Sequence, residues 1–324
     1  MKLQLLIPQY EETEEVIKPL LDSIALQQNI DMKDIGVIIA NDGSEVILSE
    51  SFVNSYPFKV EYLICDHRGV SATRNACLDA ATADYVMFCD ADDMFFNMCG
   101  LYIIFREMAG DGFNVMISAF TEESRDPKTK EPVYINHELD STFVHGKVYR
   151  RSFLENNKIR WNDSLTIHED SYFNILAQKC TKEVKYCQQP FYLWVWRDAS
   201  VCRHDPKYIL KTYNNMLESS TALIANLLSR GKETDAVFYA TSMIYDAYFM
   251  MNKKEWLDQE NQEYRHATEL RFKTFYCDHK SLFDKVDDDV KSQIIMGMKN
   301  RFFGEGLLME SVTFGDWIAH ITTM

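Results

Sequence analysis

Asp90, Asp92 and Asp93 close the run Tyr85-Val86-Met87-Phe88-Cys89, and this abrupt change from apolar residues to carboxylates is the strongest chemical signal in the chain. The pattern reads as a buried strand whose C-terminal end opens into a cleft. Carboxylates gathered there repel one another unless a cation joins them. A divalent metal carrying a phosphate ligand is the usual resolution. A solvated acidic loop would give the same string, so the surroundings must decide. A second acidic pair, Glu169-Asp170, stands at a helix start. There the plain alternative is helix-dipole stabilisation, worth ~0.3–1 kcal/mol.

The elements around these residues alternate. Residues 3–7, 36–40, 60–64, 85–89 and 115–119 read as strands. Residues 12–28, 70–81 and 98–108 have helical spacing, with Val16, Leu20, Leu21 and Ile24 on one face of the first and Pro19 inside it. Such alternation implies βα units and a mostly parallel, Rossmann-like sheet. Open sheets of this kind bind ligands at the C-terminal strand edges. Here those edges carry Pro8-Gln9-Tyr10, Asn41-Asp42-Gly43, Asp66-His67-Arg68 and Asp90-Ala91-Asp92, so the polar chemistry converges on one edge.

Neither Gly-x-Gly-x-x-Gly after a strand nor Gly-x-x-x-x-Gly-Lys-Ser/Thr occurs, which removes dinucleotide dehydrogenases and P-loop proteins. Nucleotide phosphates would have to be held by metal and basic side chains. The net charge of −15 disfavours general binding to nucleic acid or anionic membranes, although Lys147, Arg150, Arg151, Lys158 and Arg160 form a local basic cluster. The 324 residues are 46% hydrophobic and 13% aromatic, enough for a large core. None of the eight cysteines forms a Cys-x-x-Cys pair. No signal peptide and no run near ~20 apolar residues is evident, so a reducing, cytoplasmic location is expected. From about Asp205 the texture becomes helical, through residues 208–228, 234–251, 256–276 and 286–303. The expected domains are therefore 1–204 and a helical region at 205–324, for acceptor binding or oligomerisation.

Four stretches resemble the inverting family 2 glycosyltransferases of GT-A fold. They are Ile7-Pro8-Gln9-Tyr10, Ala40-Asn41-Asp42-Gly43-Ser44, Arg68 to Asn75 running into the acidic strand end, and His145-Gly146-Lys147-Val148-Tyr149-Arg150-Arg151 followed by His168-Glu169-Asp170. Order and spacing agree over about residues 3–202. The resemblance implies transfer of a sugar, hexosyl or N-acetylhexosaminyl, from a nucleoside diphosphate, UDP favoured, to a glycan or glycoconjugate hydroxyl. It implies Mn²⁺ or Mg²⁺ on Asp92, with Asp90 and Asp93 beside it and His204 as a further ligand. Asp90 would also meet the ribose or metal-bound water. Donor nucleotide contacts would come from Pro8, Gln9, Tyr10, Asp42, Arg74, Asp90, Ala91, Asp92, Lys147 and Arg197. Asp42 would accept a uracil N–H, with a turn-forming role before Gly43 as the alternative. Arg74 would face the diphosphate or the acidic cluster, with an ion pair to Asp66 or Asp90 as its rival. Lys147 would reach sugar or phosphate.

The resemblance also makes Asp170 the general base that deprotonates the acceptor hydroxyl as it attacks the anomeric carbon. Glu169 would hold acceptor or sugar hydroxyls, or brace the loop. His168 stands where the family has a small residue or Gly. The Gln-x-x-Arg-Trp signature of processive members is absent. Two other readings stay open. A sugar-phosphate nucleotidyltransferase would need a Gly-rich basic loop where Gln9-Tyr10-Glu11-Glu12 stands. A degenerate sugar-nucleotide-binding protein would not need Asp42, Asp92 and Asp170 together.

Overall fold

The computed structural model describes residues 1–110, 112–198, 205, 207–303 and 312–324. It divides into two compact units, Met1–Asp198 and Ala199–Met324. The expected boundary at 204/205 falls just past this division, next to residues outside the described set.

In the first unit the apolar runs become strands β1 (Leu3–Gln9), β2 (Ile35–Asp42), β3 (Lys59–Cys65) and β4 (Tyr85–Phe88), separated by helices α1 (Glu14–Ala25), α2 (Glu50–Val53) and α3 (Val70–Ala80). There follow β5 (Met94–Phe95), α4 (Gly100–Ala109), β6 (Val115–Ser118), β7 (Phe120–Arg125), β8 (Pro132–His137), β9 (Lys147–Arg150), α5 (Arg151–Asn156), α6 (Glu169–Lys179), β10 (Val184–Cys187) and β11 (Tyr192–Trp194). A seven-stranded sheet runs β10-β6-β9-β4-β1-β2-β3. All its pairings are parallel except those of β9, which lies antiparallel between β4 and β6.

Both faces of the central strands are buried, as their near-continuous apolar runs require. Leu3, Leu5, Ile7, Val37 and Ile39 share a core with Ile17, Leu20, Leu21 and Ile24 of α1 and Leu101 and Ile104 of α4. On the alternate positions, Phe88 packs edge-on against Trp161 and Phe173. Pro19 lies within α1 without ending it, and Pro8 continues β1, opposite Ala40, rather than stopping it.

A second sheet, β5-β11-β7-β8, was not anticipated. Its β8 is exposed along nearly its whole length, and β7 buries only Phe120 and Thr121, so neither strand carries an apolar alternation. The second unit is helical: Tyr208–Ser229, Glu233–Met251, Gln262–Phe283, Asp288–Phe303 and Phe314–Thr323. The single helix expected over 256–276 is broken. Lys254–Leu257 ends at Asp258, whose backbone is extended, and buried Asn261 donates to the Glu255 carbonyl at 2.7 Å before Gln262–Phe283 begins. The last helix was not anticipated. Among the described residues no helix is long and apolar enough to cross a membrane.

Candidate active site

Parallel pairing aligns the ends of β1 and β2, with Gln9 opposite Asn41 and Asp42 opposite Cys65. The antiparallel strand completes this edge. Because β9 runs the other way, its first residue lies opposite Ile117 near the end of β6. The loop before it therefore reaches the same edge as the strand ends. Gly146 makes that approach possible, since it sits at φ +67° where a Cβ would lie 2.5 Å from Ser118 Oγ.

On the β1 and β2 side, the structure engages the predicted residues in bracing. Buried Gln9 donates to the carbonyls of Glu12 (2.8 Å) and Val46 (3.0 Å) and accepts from the Tyr62 hydroxyl (2.8 Å). Tyr10 is 46% exposed and stacks on His67 at 4.8 Å, a flat aromatic platform at the rim. The Asp42 carboxylate accepts from the backbone N–H groups of Arg68 (2.8 Å) and Gly69 (2.9 Å) and lies 3.0 Å from His67 Nδ1. It thus fixes the loop that enters α3. Asn75 ties the same helix to the 161–163 loop by donating to Trp161 O (2.9 Å) and Asp163 (2.8 Å).

At the end of β4, Arg74 is the organising group. It is 4% exposed, donates to Asp90 and to Glu169 at 2.9 Å each, and lies 4.5 Å over the Trp161 ring. The ion pair with Asp90 is the outcome that rivalled a diphosphate contact; the bond to Glu169 was not foreseen. Burial opposes ionisation of Asp90, but Arg74 and His145 hold its carboxyl below the usual range. Asp92 bonds Arg197 at 3.0 Å, and burial together with the Asp90 charge pushes its carboxyl up. Ala91 is buried between them.

Asp93 is fully buried. One oxygen accepts from the Val195 N–H at 3.0 Å; the other lies 3.4 Å from His145 Nδ1 and, among the described residues, has no hydrogen-bond partner. Burial and the charges of Asp90 and Asp92 raise its carboxyl well above the ordinary range. Asp90, Asp93 and His145 bring ligand atoms within 4.8 Å of one another. Two carboxylates and an imidazole suit a divalent ion such as Mn²⁺, and an orphaned buried carboxylate oxygen is what such an ion would satisfy. His145 was therefore missed as a candidate ligand. His204, expected in that role, lies outside the described residues.

Across the cleft edge, α6 begins at Glu169. His168 occupies its N-cap at φ +62°, a left-handed conformation that explains why Gly suits this position. Asp170 accepts from the Ser171 N–H at 2.8 Å, and burial with the Glu169 charge raises its carboxyl to about 7. Lys147, read from the sequence as a sugar or phosphate contact, has no exposed surface, and burial lowers its ammonium to about 8. Within the basic cluster Lys147 is buried, Arg151 pairs with Glu155 and Arg160 with Asp79. Glu12, which accepts from the Tyr10 N–H at 2.6 Å, also lies in the field of Asp92 and Arg197 and was overlooked.

The family model described as "Glycosyl transferase family 2" matches residues 5–176. The chain is 26% identical over 246 residues to EpsH of Bacillus subtilis (strain 168), a provisionally named glycosyltransferase, covering 68% of this chain and 69% of that one. It is 27% identical over 192 residues to the poly(ribitol-phosphate) beta-N-acetylglucosaminyltransferase TarS of Staphylococcus aureus (strain Mu50 / ATCC 700699), covering 55% of this chain but 32% of TarS. The fold matches the crystal structure of S. aureus TarS 1–349 in complex with UDP, with TM-score 0.65 at 15% identity over 100% of this chain and 90% of that one.

Proposed function

The chain belongs to glycosyl transferase family 2, and from that premise we propose that it transfers a single sugar from a nucleoside diphosphate, UDP favoured, to an acceptor hydroxyl with inversion at the anomeric carbon. One observation carries the proposal. Arg74 joins Asp90, at the strand end, to Glu169, beside Asp170 on α6. In this reading Arg74 links the strand end that would hold the leaving group to the helix start that would supply the base.

In this reading the base stacks on Tyr10 and its ring N–H meets Asp42. The diphosphate lies toward Asp90 and Asp92, with Arg197 beside it. Asp90, Asp93 and His145, with Asp92 adjacent, would hold Mn²⁺ or Mg²⁺. When bound, the ion neutralises charge developing on the departing nucleoside diphosphate. Asp170 takes the acceptor proton. A base near pH 7 combines a useful ionised fraction with enough basicity to accept it. Glu169 keeps Arg74 in place and raises Asp170 by its own charge. The acceptor is a glycan or glycoconjugate hydroxyl, and the name of TarS points to a polyol-phosphate polymer as the first class to try. Acceptor binding or self-association is assigned to the helical unit.

The test is UDP release from UDP-sugars with Mn²⁺ across an acceptor panel that includes poly(ribitol-phosphate). Asp170→Asn is expected to lower kcat by about 10²–10⁴-fold while UDP affinity stays near that of the parent. Equal collapse of UDP binding would refute the base assignment. No turnover with any nucleoside diphosphate sugar would refute the function.

A further inference from the structure

Strand β8 is the outer edge of the second sheet; among the described residues it pairs only with β7. Its middle, Val133-Tyr134-Ile135, is 40%, 61% and 44% exposed, three successive large apolar side chains of which the strand buries none. An edge of this kind is a template for another strand unless charge, proline or a bulge blocks it. Here Pro132 opens the strand and Lys130 precedes it, so neither guards the centre.

The hairpin fixes which backbone groups face outward. The Asp126 N–H donates to the Glu131 carbonyl at 2.9 Å, and the register continues with Arg125 opposite Pro132, Ser124 opposite Val133 and Glu123 opposite Tyr134. Bonded and non-bonded pairs alternate along an antiparallel ladder. Glu131, Val133, Ile135 and His137 therefore bond toward β7, while Pro132, Tyr134 and Asn136 turn their backbone groups away from it. The outer edge offers the carbonyls of these last three residues and the N–H groups of Tyr134 and Asn136, since proline has none.

An antiparallel neighbour must match outward groups with outward groups. A second copy of β8 does so when the pair is centred on Tyr134. Tyr134 then exchanges both bonds with the partner's Tyr134, and the Asn136 N–H meets the partner's Pro132 carbonyl. Every outward residue of the strand faces another within the strand. The same register matches side chains. Exposed Val133 lies against the partner's Ile135, an apolar cross-strand pair. Exposed Lys130 comes opposite the partner's exposed Glu138, and two-fold symmetry repeats this at the other end. Glu131 comes opposite the partner's His137. Charge and hydrogen-bonding groups are thus complementary within residues 130–138 themselves, which favours a second copy over an unrelated strand.

We propose that the outer edge of β8 is a homodimer interface, in which two copies of this chain join antiparallel about a two-fold axis at Tyr134. Such a contact is closed and gives a dimer rather than a fibre. It is independent of any contact made by the helical unit. One strand pair is a small interface, so the dissociation constant is expected on the order of 10 µM.

The experiment is sedimentation velocity of the full chain over about 1–300 µM, which spans that value. Tyr134→Pro removes only an outward N–H and leaves the β7 ladder intact. It is expected to weaken the dimer at least about ten-fold, with the circular dichroism and melting temperature of the parent. Lys130→Glu is expected to weaken it by about ten-fold, and Lys130→Glu combined with Glu138→Lys to restore it to within about three-fold. Under mild oxidation Tyr134→Cys is expected to cross-link at the introduced thiol, because a bonded antiparallel pair holds its Cα atoms ~5.5 Å apart, within disulfide range. Asn136→Cys, roughly 14 Å from its symmetry mate, is not. Peptide mass spectrometry locates the link. If Tyr134→Pro does not fold, the charge exchange and the cross-link carry the test. A monomer at every concentration, a dimer that Tyr134→Pro leaves at parent affinity, a double exchange that fails to restore it, or equal cross-linking at both positions would each overturn the proposal.

Discussion

Arg74→Met tests whether one guanidinium organises the acidic centre. The substitution keeps an unbranched stem against Trp161 and deletes two ionic hydrogen bonds of 2.9 Å. The side chains concerned are 5% exposed for Arg74, 32% for Asp90 and 13% for Glu169, so water compensates only part of the loss. Breaking a buried ion pair from one side costs about 3–5 kcal/mol. The partial exposure of Asp90 puts this case toward about 3–4 kcal/mol. For a unit of this size that corresponds to a fall in Tm of roughly 6–16 °C. The sign of the pH dependence follows from Asp90. Burial alone would raise its carboxyl, but Arg74 leads the interactions that hold it below the usual range. Such a group stabilises the fold above the unfolded carboxylate's pKa and loses that contribution as pH falls through the folded value. The gap between parent and variant should therefore be widest above about pH 5 and close below about pH 4. Calorimetry or near-UV circular dichroism at pH 7.5 and at about pH 3 measures both. A gap under about 2 °C at pH 7.5, or one that does not change with pH, would show that Arg74 is not the centre's main counter-charge.

Two further outcomes bear on ligands. Tyr10→Ala removes the exposed ring of the rim platform, and base–aromatic stacking of ~1–3 kcal/mol implies UDP binding weaker by about 5–150-fold. Calorimetric titration reads it directly, and Tyr10→Phe should bind as the parent does. His145→Ala should weaken Mn²⁺ binding by about 10–100-fold, as loss of a ligand or of its immediate support does. Electron paramagnetic resonance of free Mn²⁺ counts the bound fraction. Since burial and its acidic neighbours raise the Asp93 carboxyl well above the ordinary range, Mn²⁺ affinity should also fall as pH is lowered. Parent-like affinity in His145→Ala would move the ion away from the buried trio.

What the sequence made legible, and what it hid, follows from the range of the interactions. The ends of β1, β2 and β4 could be read because a buried parallel strand needs a continuous apolar run, and the polar residue that ends the run marks the cleft. The acidic start of α6 was legible for the same local reason. His145 was not, because its place depends on β9 entering the sheet backwards. Lys147-Val148-Tyr149-Arg150 is too short, and too charged at its ends, to declare a strand direction. The available clue was Gly146: a glycine between two polar residues ahead of an apolar pair signals a close backbone approach, and a histidine beside such a glycine is placed rather than free. The Arg74–Glu169 and Asp92–Arg197 pairs were hidden for a different reason. Their partners lie 95 and 105 residues apart, and a surplus of acids offers each arginine many equivalent partners on paper. Only the fold selects among them, and it does so by burial. Arg74 is enclosed, so its two partners must come from the elements that enclose it. Lys147 is the extreme case. Sequence makes it one more cation near a cleft, while the structure buries it fully at the start of β9, opposite Ile117.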